Sequence, residues 1–233
     1  MEKLISTKDG SLVYYQLVGQ GPALFLLHGN GGSSKDFKRQ IAYLKKDFQL
    51  ILMDTRDHGR SNNQSTVLDF ETIIYDMNLI LTHERIETTS LLGFSDGANI
   101  ALKFAVTFPE KCQRLIGISP NLTFDHLKKK HQIVSTKLFW LADNLLHSTK
   151  LKRVLSLAQE DLNLTPAELR KLEAPTLIIM GDRDIVSPEN MKELVAPLPK
   201  GELFILKNSG HSILRFRSKE IKPLILNFLQ QKK

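Results

Sequence analysis

The stretch Gly93-Phe94-Ser95-Asp96-Gly97 has the make-up of an activated nucleophile. It reads G-x-S-x-G and lies between a predicted strand, Ser90 to Phe94, and a predicted helix, Ala98 to Phe108. A serine on so tight a strand-to-helix turn has a strained backbone. Side chains two positions away would clash, which explains Gly93 and Gly97. The turn lifts the Ser95 hydroxyl off the sheet. The first N–H groups of the helix, from Asp96 onward, point towards the same space and can donate to an oxyanion. The chemistry implied is nucleophilic attack on a carbonyl.

A hydroxyl needs a base, and the base needs an orienting group. Seven histidines are available, at 28, 58, 83, 126, 131, 147 and 211. Four of them (83, 126, 131 and 147) fall in predicted helices. His28 and His58 lie at strand ends ahead of the serine. His211, in Asn208-Ser209-Gly210-His211, follows the predicted strand Glu202 to Leu206, where a loop can carry an imidazole over Ser95. The orienting acid should also follow a strand. Gly181-Asp182-Arg183-Asp184 follows Thr176 to Met180. Asp184 sits deeper in that loop and is preferred. Asp182 is expected to shape the turn, and Asp125 is a further candidate.

His28-Gly29-Asn30-Gly31-Gly32 follows the apolar run Ala23 to Leu27. Its glycines allow the backbone to approach a substrate, so the Asn30 N–H is the second expected oxyanion donor, beside that of Asp96. The loop fits neither phosphate-binding glycine template. His28 is expected to fix the loop through hydrogen bonds.

These groups need a scaffold of alternating strands and helices. Leu12 to Val18, Ala23 to Leu27, Phe48 to Met53, Ser90 to Phe94, Leu115 to Ile118, Thr176 to Met180 and Glu202 to Leu206 read as strands. Most are short apolar runs, as strands buried on both faces require. Between them lie helical patterns, the longest from about Asp69 with Ile73, Ile74, Met77, Ile80 and Leu81 on one face. The expected class is α/β: a mostly parallel sheet with helices on both faces. Residues 121–173 break the rhythm, look helical with several interruptions, and read as an inserted cap within a single domain, 1–233. Such a cap would overlie the strands' carboxyl ends, where open α/β sheets bind ligands.

At 233 residues and 42% hydrophobic, the chain can bury a substantial core. No apolar run reaches the roughly 20 residues of a membrane span, and the N-terminus lacks a secretory layout. One cysteine, Cys112, excludes an internal disulfide framework and a cysteine-built zinc site, so a cytoplasmic location is expected. The net charge is +7, and residues 200–233 hold eight basic against two acidic groups. No nucleic-acid module accompanies that excess. It is read as a solvated helix face plus the Lys232-Lys233 tail.

Taken together, the chain resembles the α/β-hydrolase fold family. The resemblance rests on His28-Gly29, on Asp54-Thr55-Arg56-Asp57-His58-Gly59-Arg60-Ser61, on the elbow at Ser95, on Gly-x-x-Asp ending at Asp184, and on Gly210-His211. It covers about residues 10–230 and obeys the family's order of serine, acid, histidine. It implies Ser95 as nucleophile, His211 as base, Asp184 as orienter, and the N–H groups of Asn30 and Asp96 as oxyanion hole. Position 57 departs from the family's D-x-R-G-H-G-x-S, with aspartate for glycine. An elbow serine is unlike the aspartate of haloalkane dehalogenases and epoxide hydrolases. The short cap is most similar to those of small esterases, lysophospholipase-like enzymes and thioesterases.

The expected reaction is hydrolysis of a small-molecule carboxylic ester through an acyl-enzyme, with no metal and no organic cofactor. Thioester, carbon–carbon or perhydrolase chemistry on the same residues is the alternative, as is a non-enzymatic small-molecule receptor. Phe139 and Trp140, in an amphipathic part of the cap, are candidate acyl-pocket walls. Lys128-Lys129-Lys130 reads as a solvated face. Neither nucleic acid nor stable membrane insertion is expected, and oligomeric state is not legible in the residues.

Overall fold

A computed structural model describes residues 1–231; the Lys232-Lys233 tail lies outside the described residues. The strands are β1 (Glu2–Ser6), β2 (Leu12–Val18), β3 (Ala23–Leu27), β4 (Gln49–Met53), β5 (Thr89–Phe94), β6 (Cys112–Ile118), β7 (Thr176–Gly181) and β8 (Gly201–Leu206). They form one sheet in the order β1-β2-β4-β3-β5-β6-β7-β8. β2 runs antiparallel to both β1 and β4. Every other pairing is parallel. The α-helices are α1 (Lys38–Leu44), α2 (Phe70–His83), α3 (Asp96–Thr107), α4 (Lys129–Asn144), α5 (Thr149–Leu157), α6 (Pro166–Leu169), α7 (Pro188–Val195), α8 (Ile213–Phe216) and α9 (Ser218–Gln230). None among the described residues is long and apolar enough to cross a membrane.

The side-chain period of two in a strand divides the core into two layers. Phe25, Leu27, Ile51, Met53, Ile178 and Met180 face one layer, which α2, α3 and α7 cover. Their neighbours Leu24, Leu26, Leu50, Leu52, Leu177 and Ile179 face the other, closed by α1, α8 and α9. α2 shows how local signals set an element. Asp69 caps it by accepting from the Thr72 N–H at 2.6 Å. Ile73, Ile74, Met77, Ile80 and Leu81 then recur on its buried face.

Two elements go beyond the sequence reading. β1 is an edge strand of which only Ile5 is buried, and Leu4 is 58% exposed. So little burial leaves scant hydrophobic signal; the strand is held by its ladder to β2. α8 is a four-residue turn of helix whose Ile213 and Leu214 plug the second core layer.

Residues 121–173 form no strand; α4, α5 and α6 occupy them, and Leu127 makes an isolated antiparallel bridge to Val186. α4 buries Ala142 alone of its sixteen residues. α5 is better seated, with Val154 and Leu157 buried in the first core layer. Because β3, β5, β6, β7 and β8 are successive parallel neighbours, the loops at their carboxyl ends emerge side by side. That juxtaposition brings residues 28, 95, 119, 184 and 211 together from five separate parts of the chain.

Candidate active site

Ser95 stands between β5 and α3 with φ 54° and ψ −125°, a conformation that side chains disfavour. The ladder holds it there: its N–H donates to the Ile118 carbonyl at 2.8 Å, and its own carbonyl accepts from Ala98 at 2.7 Å. The flanking glycines are steric necessities. A Cβ on Gly93 would lie 2.1 Å from the Gly97 carbonyl oxygen, and one on Gly97 would lie 2.1 Å from that of Leu27.

His211 Nε2 lies 3.1 Å from Ser95 Oγ, and His211 Nδ1 lies 2.7 Å from Asp184 Oδ1. A carboxylate can only accept, so Nδ1 carries the proton and Nε2 is free to accept from the serine hydroxyl. The Asp184 carboxylate has no exposed surface. Burial raises its pKa, but the His211 ring N–H, the Ser119 hydroxyl (2.6 Å to Oδ2) and the Ile185 N–H (2.6 Å to Oδ1) outweigh that, and the net shift is downward. Asp182 is exposed and turned elsewhere. It accepts from the Ser209 N–H at 2.9 Å, and this bond is the main cause of its own lowered pKa. It thereby ties the β7 loop to the segment that carries His211. The Phe94 ring packs 5.1 Å from the imidazole, centroid to centroid.

The loop after β3 lies against the serine: a Cβ on Gly29 would sit 3.1 Å from Ser95 Cβ. Two buried histidines shape that loop. The Thr55 N–H donates to His28 Nε2 at 3.1 Å, so His28 Nδ1 bears the proton and donates to the Gly29 carbonyl at 2.8 Å. The Gly31 N–H donates to His58 Nε2 at 3.0 Å, and His58 Nδ1 donates to the Arg56 carbonyl at 2.9 Å. Burial is the main reason both pKa values fall, that of His28 to about 4. Both rings are therefore neutral near pH 7 and hold the loop as acceptors. The Asn30 side chain donates to the Val154 carbonyl of α5 at 2.7 Å.

Asp57, where the resemblance calls for glycine, has φ 62°. Its carboxylate pairs with Arg153 of α5 through two bonds, 2.6 and 2.9 Å. The pair is nearly dry, with side-chain exposures of 15% for Arg153 and 4% for Asp57. With the Asn30 bond it fastens α5 to the loops after β3 and β4. Arg153→Ala strands a buried carboxylate and should destabilise the fold by about 3 kcal/mol. Asp57→Gly also leaves Arg153 unpaired, but it relieves about 1 kcal/mol of backbone strain. Denaturant unfolding should therefore rank Arg153→Ala below Asp57→Gly; equal losses would mean that the backbone strain is negligible.

The Asp96 carboxyl is also buried, and its Oδ2 meets no donor among the described residues. Burial pushes its pKa up to about 6, against the pull of the Asn30 amide and His211. The unfolded chain ionises this group near 3.8. Stability is therefore lost as pH rises from 3.8 to about 6, and the penalty is complete above that. Asp96→Asn should stabilise the protein at pH 8 by on the order of 2–3 kcal/mol. Melting curves at pH 8 and at pH 3.5 test this, since the gain should vanish at the lower pH; a gain equal at both would remove ionisation as its cause.

Ser119 and the Asp57–Arg153 pair are the site residues that sequence reasoning missed. Ser119 had a visible place, at the end of β6 beside β7, but nothing local links it to residue 184. Of the two cap candidates, Phe139 is half-buried, with Lys152 Nζ 5.9 Å from its ring centroid, and Trp140 is 57% exposed. Trp140 thus faces solvent, as its place on the barely buried α4 dictates.

Residues 22–172 match the alpha/beta hydrolase fold family. The chain belongs to that family. Among curated relatives, the AB hydrolase superfamily protein YisY of Bacillus subtilis is 25% identical, over 98% of this chain and 99% of its own. Among solved structures, the hydrolase MGS-M2 from a Medee basin deep-sea metagenome library superposes with a TM-score of 0.86 at 20% identity, covering 99% of this chain and 98% of that one. The carboxylesterase CesB of Bacillus subtilis gives a TM-score of 0.82 at 19% identity, with 100% and 92% covered. At such identities the structural likeness speaks for the fold.

Proposed function

We propose that this protein is a serine hydrolase that cleaves carboxylic esters of small molecules through an acyl-enzyme. One observation carries the reading: an unbroken hydrogen-bonded relay from Asp184 through His211 to Ser95, on a strained turn. Ser95 Oγ attacks the ester carbonyl as its proton passes to His211 Nε2. The N–H groups of Asn30 and Asp96 receive the oxyanion. His211 then gives that proton to the leaving alkoxide, and the ester bond breaks. Water, deprotonated by the same nitrogen, attacks the acyl-Ser95 carbonyl; the acyl–Oγ bond breaks, His211 returns the proton to Ser95 Oγ, and the acid is released. Asp184 holds the Nδ1 tautomer and stabilises the imidazolium throughout. The α4–α6 segment serves as the cap, anchored through Asp57–Arg153 and Asn30–Val154.

Intact-mass measurement after exposure to a fluorophosphonate tests the nucleophile without a known substrate. A single adduct is expected, on the peptide containing Ser95. No adduct on folded protein, or one elsewhere, would overturn the assignment.

A further inference from the structure

A cavity of about 480 Å³ opens beside the relay, on the flank where α1 and α8 lie. Its inner wall is Phe94, the residue before the nucleophile, whose ring packs on His211. Its rim is cationic. Lys35 comes from the turn between β3 and α1, Lys38 and Arg39 from α1, and Arg215 from α8, more than 170 residues further on. Arg39 donates to the Arg215 carbonyl, which joins the two sides of the rim.

The four cations outnumber the one carboxylate on the rim, Asp36. None takes part in an ion pair among the described residues. The one carboxylate on the rim, Asp36, is already engaged with the Ser33 N–H at 2.9 Å, in the cap of the turn that begins at Ser34. Like charges gathered without a partner raise the local potential and draw in anions. Arginine adds a planar fork suited to carboxylate or phosphate.

We propose that this cavity is a subsite for the anionic oxyacid group, carboxylate or phosphate, of the ester whose carbonyl meets Ser95. This inference rests on the esterase reading and names its substrate class. An ester lying across Phe94 would present its carbonyl to the serine and its anionic end to the rim. Exposed cations act at long range and are screened by salt, so the preference should be ionic-strength dependent.

The test compares the butyryl ester of glycerol phosphate with the butyryl ester of glycerol, at low and high salt. At low salt the anionic ester should be favoured about 10-fold or more in kcat/KM. High salt should abolish that preference, and so should the triple variant Lys35→Gln/Lys38→Gln/Arg215→Gln, which leaves the neutral ester unaffected. Equal rates for the two esters, or a preference that survives the triple variant, overturns the subsite. A long-chain ester with the same headgroup, presented in vesicles, separates the sources. Preference for the monomer points to a soluble phosphorylated alcohol, and preference only in vesicles to a lipid headgroup. If neither ester turns over, the esterase reading is judged by the fluorophosphonate adduct and the subsite is judged alone. Ligand-observed NMR with glycerol phosphate should then show saturable, salt-sensitive binding to wild type and none to the triple variant; no binding to wild type overturns it.

Discussion

Ser95→Ala should lower kcat/KM for a carboxylic ester by on the order of 10⁴- to 10⁶-fold, with little change in KM. The size follows from what is removed and what remains. The substitution deletes the atom proposed to form the covalent bond, and His211 Nε2, 3.1 Å from it in the wild type, is left with no hydroxyl to deprotonate. The rest of the site is undisturbed. The His211–Asp184 bond, the loop after β3 and the N-terminus of α3 do not depend on Oγ. Alanine has to adopt φ 54° as serine does, and the ladder bonds of residue 95 are backbone bonds. Residual rate enhancement, from the proposed oxyanion donors and binding alone, should still exceed the reaction in water. Turnover of the variant within tenfold of wild type would remove Ser95 from the mechanism. Loss of activity together with lost thermal stability would instead point to a failed turn, so the melting temperature has to be measured beside the rate.

The serine was legible because its requirements are local. Gly93 and Gly97 sit within two residues of it, and the close approaches that exclude a Cβ at both are consequences of one tight turn. His211 and Asp184 were legible at one remove, through the strand rhythm that places both after parallel strands. The choice of Asp184 over Asp182 followed from depth in the loop, and depth is what the structure displays: one carboxylate is buried, the other exposed. Contacts between distant segments left no trace. Asp57 meets Arg153 96 residues later, and Ser119 meets Asp184 65 residues later. Neither pair has a spacing that any periodicity encodes. Asp57 was visible only as a departure from a family pattern, with no partner to explain it. The α4–α6 segment shows a different limit. An amphipathic helix announces an apolar face but not what that face covers, and Trp140 is on a helix that covers little. The charge excess near the C-terminus was countable, yet the meeting of Arg215 with Lys35, Lys38 and Arg39 is a product of the fold.

Asp184→Asn should lower kcat/KM by roughly 10³- to 10⁴-fold, whereas Asp182→Asn should stay within a few-fold of wild type. Asp184 Oδ1 accepts two N–H bonds, from His211 and Ile185, while Oδ2 accepts one hydroxyl bond from Ser119. An asparagine amide has one acceptor and one donor end. With the oxygen at the His211 side it still orients the ring, but the negative charge that stabilises the imidazolium is gone. With the nitrogen there, the ring must turn to the other tautomer, and Nε2 can no longer accept the serine proton. Ser119 and Ile185 both favour the first state: the Ser119 hydroxyl can rotate to accept from the amide nitrogen, and the Ile185 N–H keeps its acceptor at the Oδ1 position. Asp184→Asn combined with Ser119→Ala removes one of these two contacts and leaves the amide nitrogen without an acceptor. The double variant should fall below the single one, while Ser119→Ala alone costs far less. At position 182 the asparagine oxygen can go on accepting from the Ser209 N–H, which is why little should change. A larger loss at 182 than at 184 would transfer the orienting role to Asp182. Equality of the Asp184→Asn single variant with its Ser119→Ala double would show that lost charge, and not the tautomer, sets the rate.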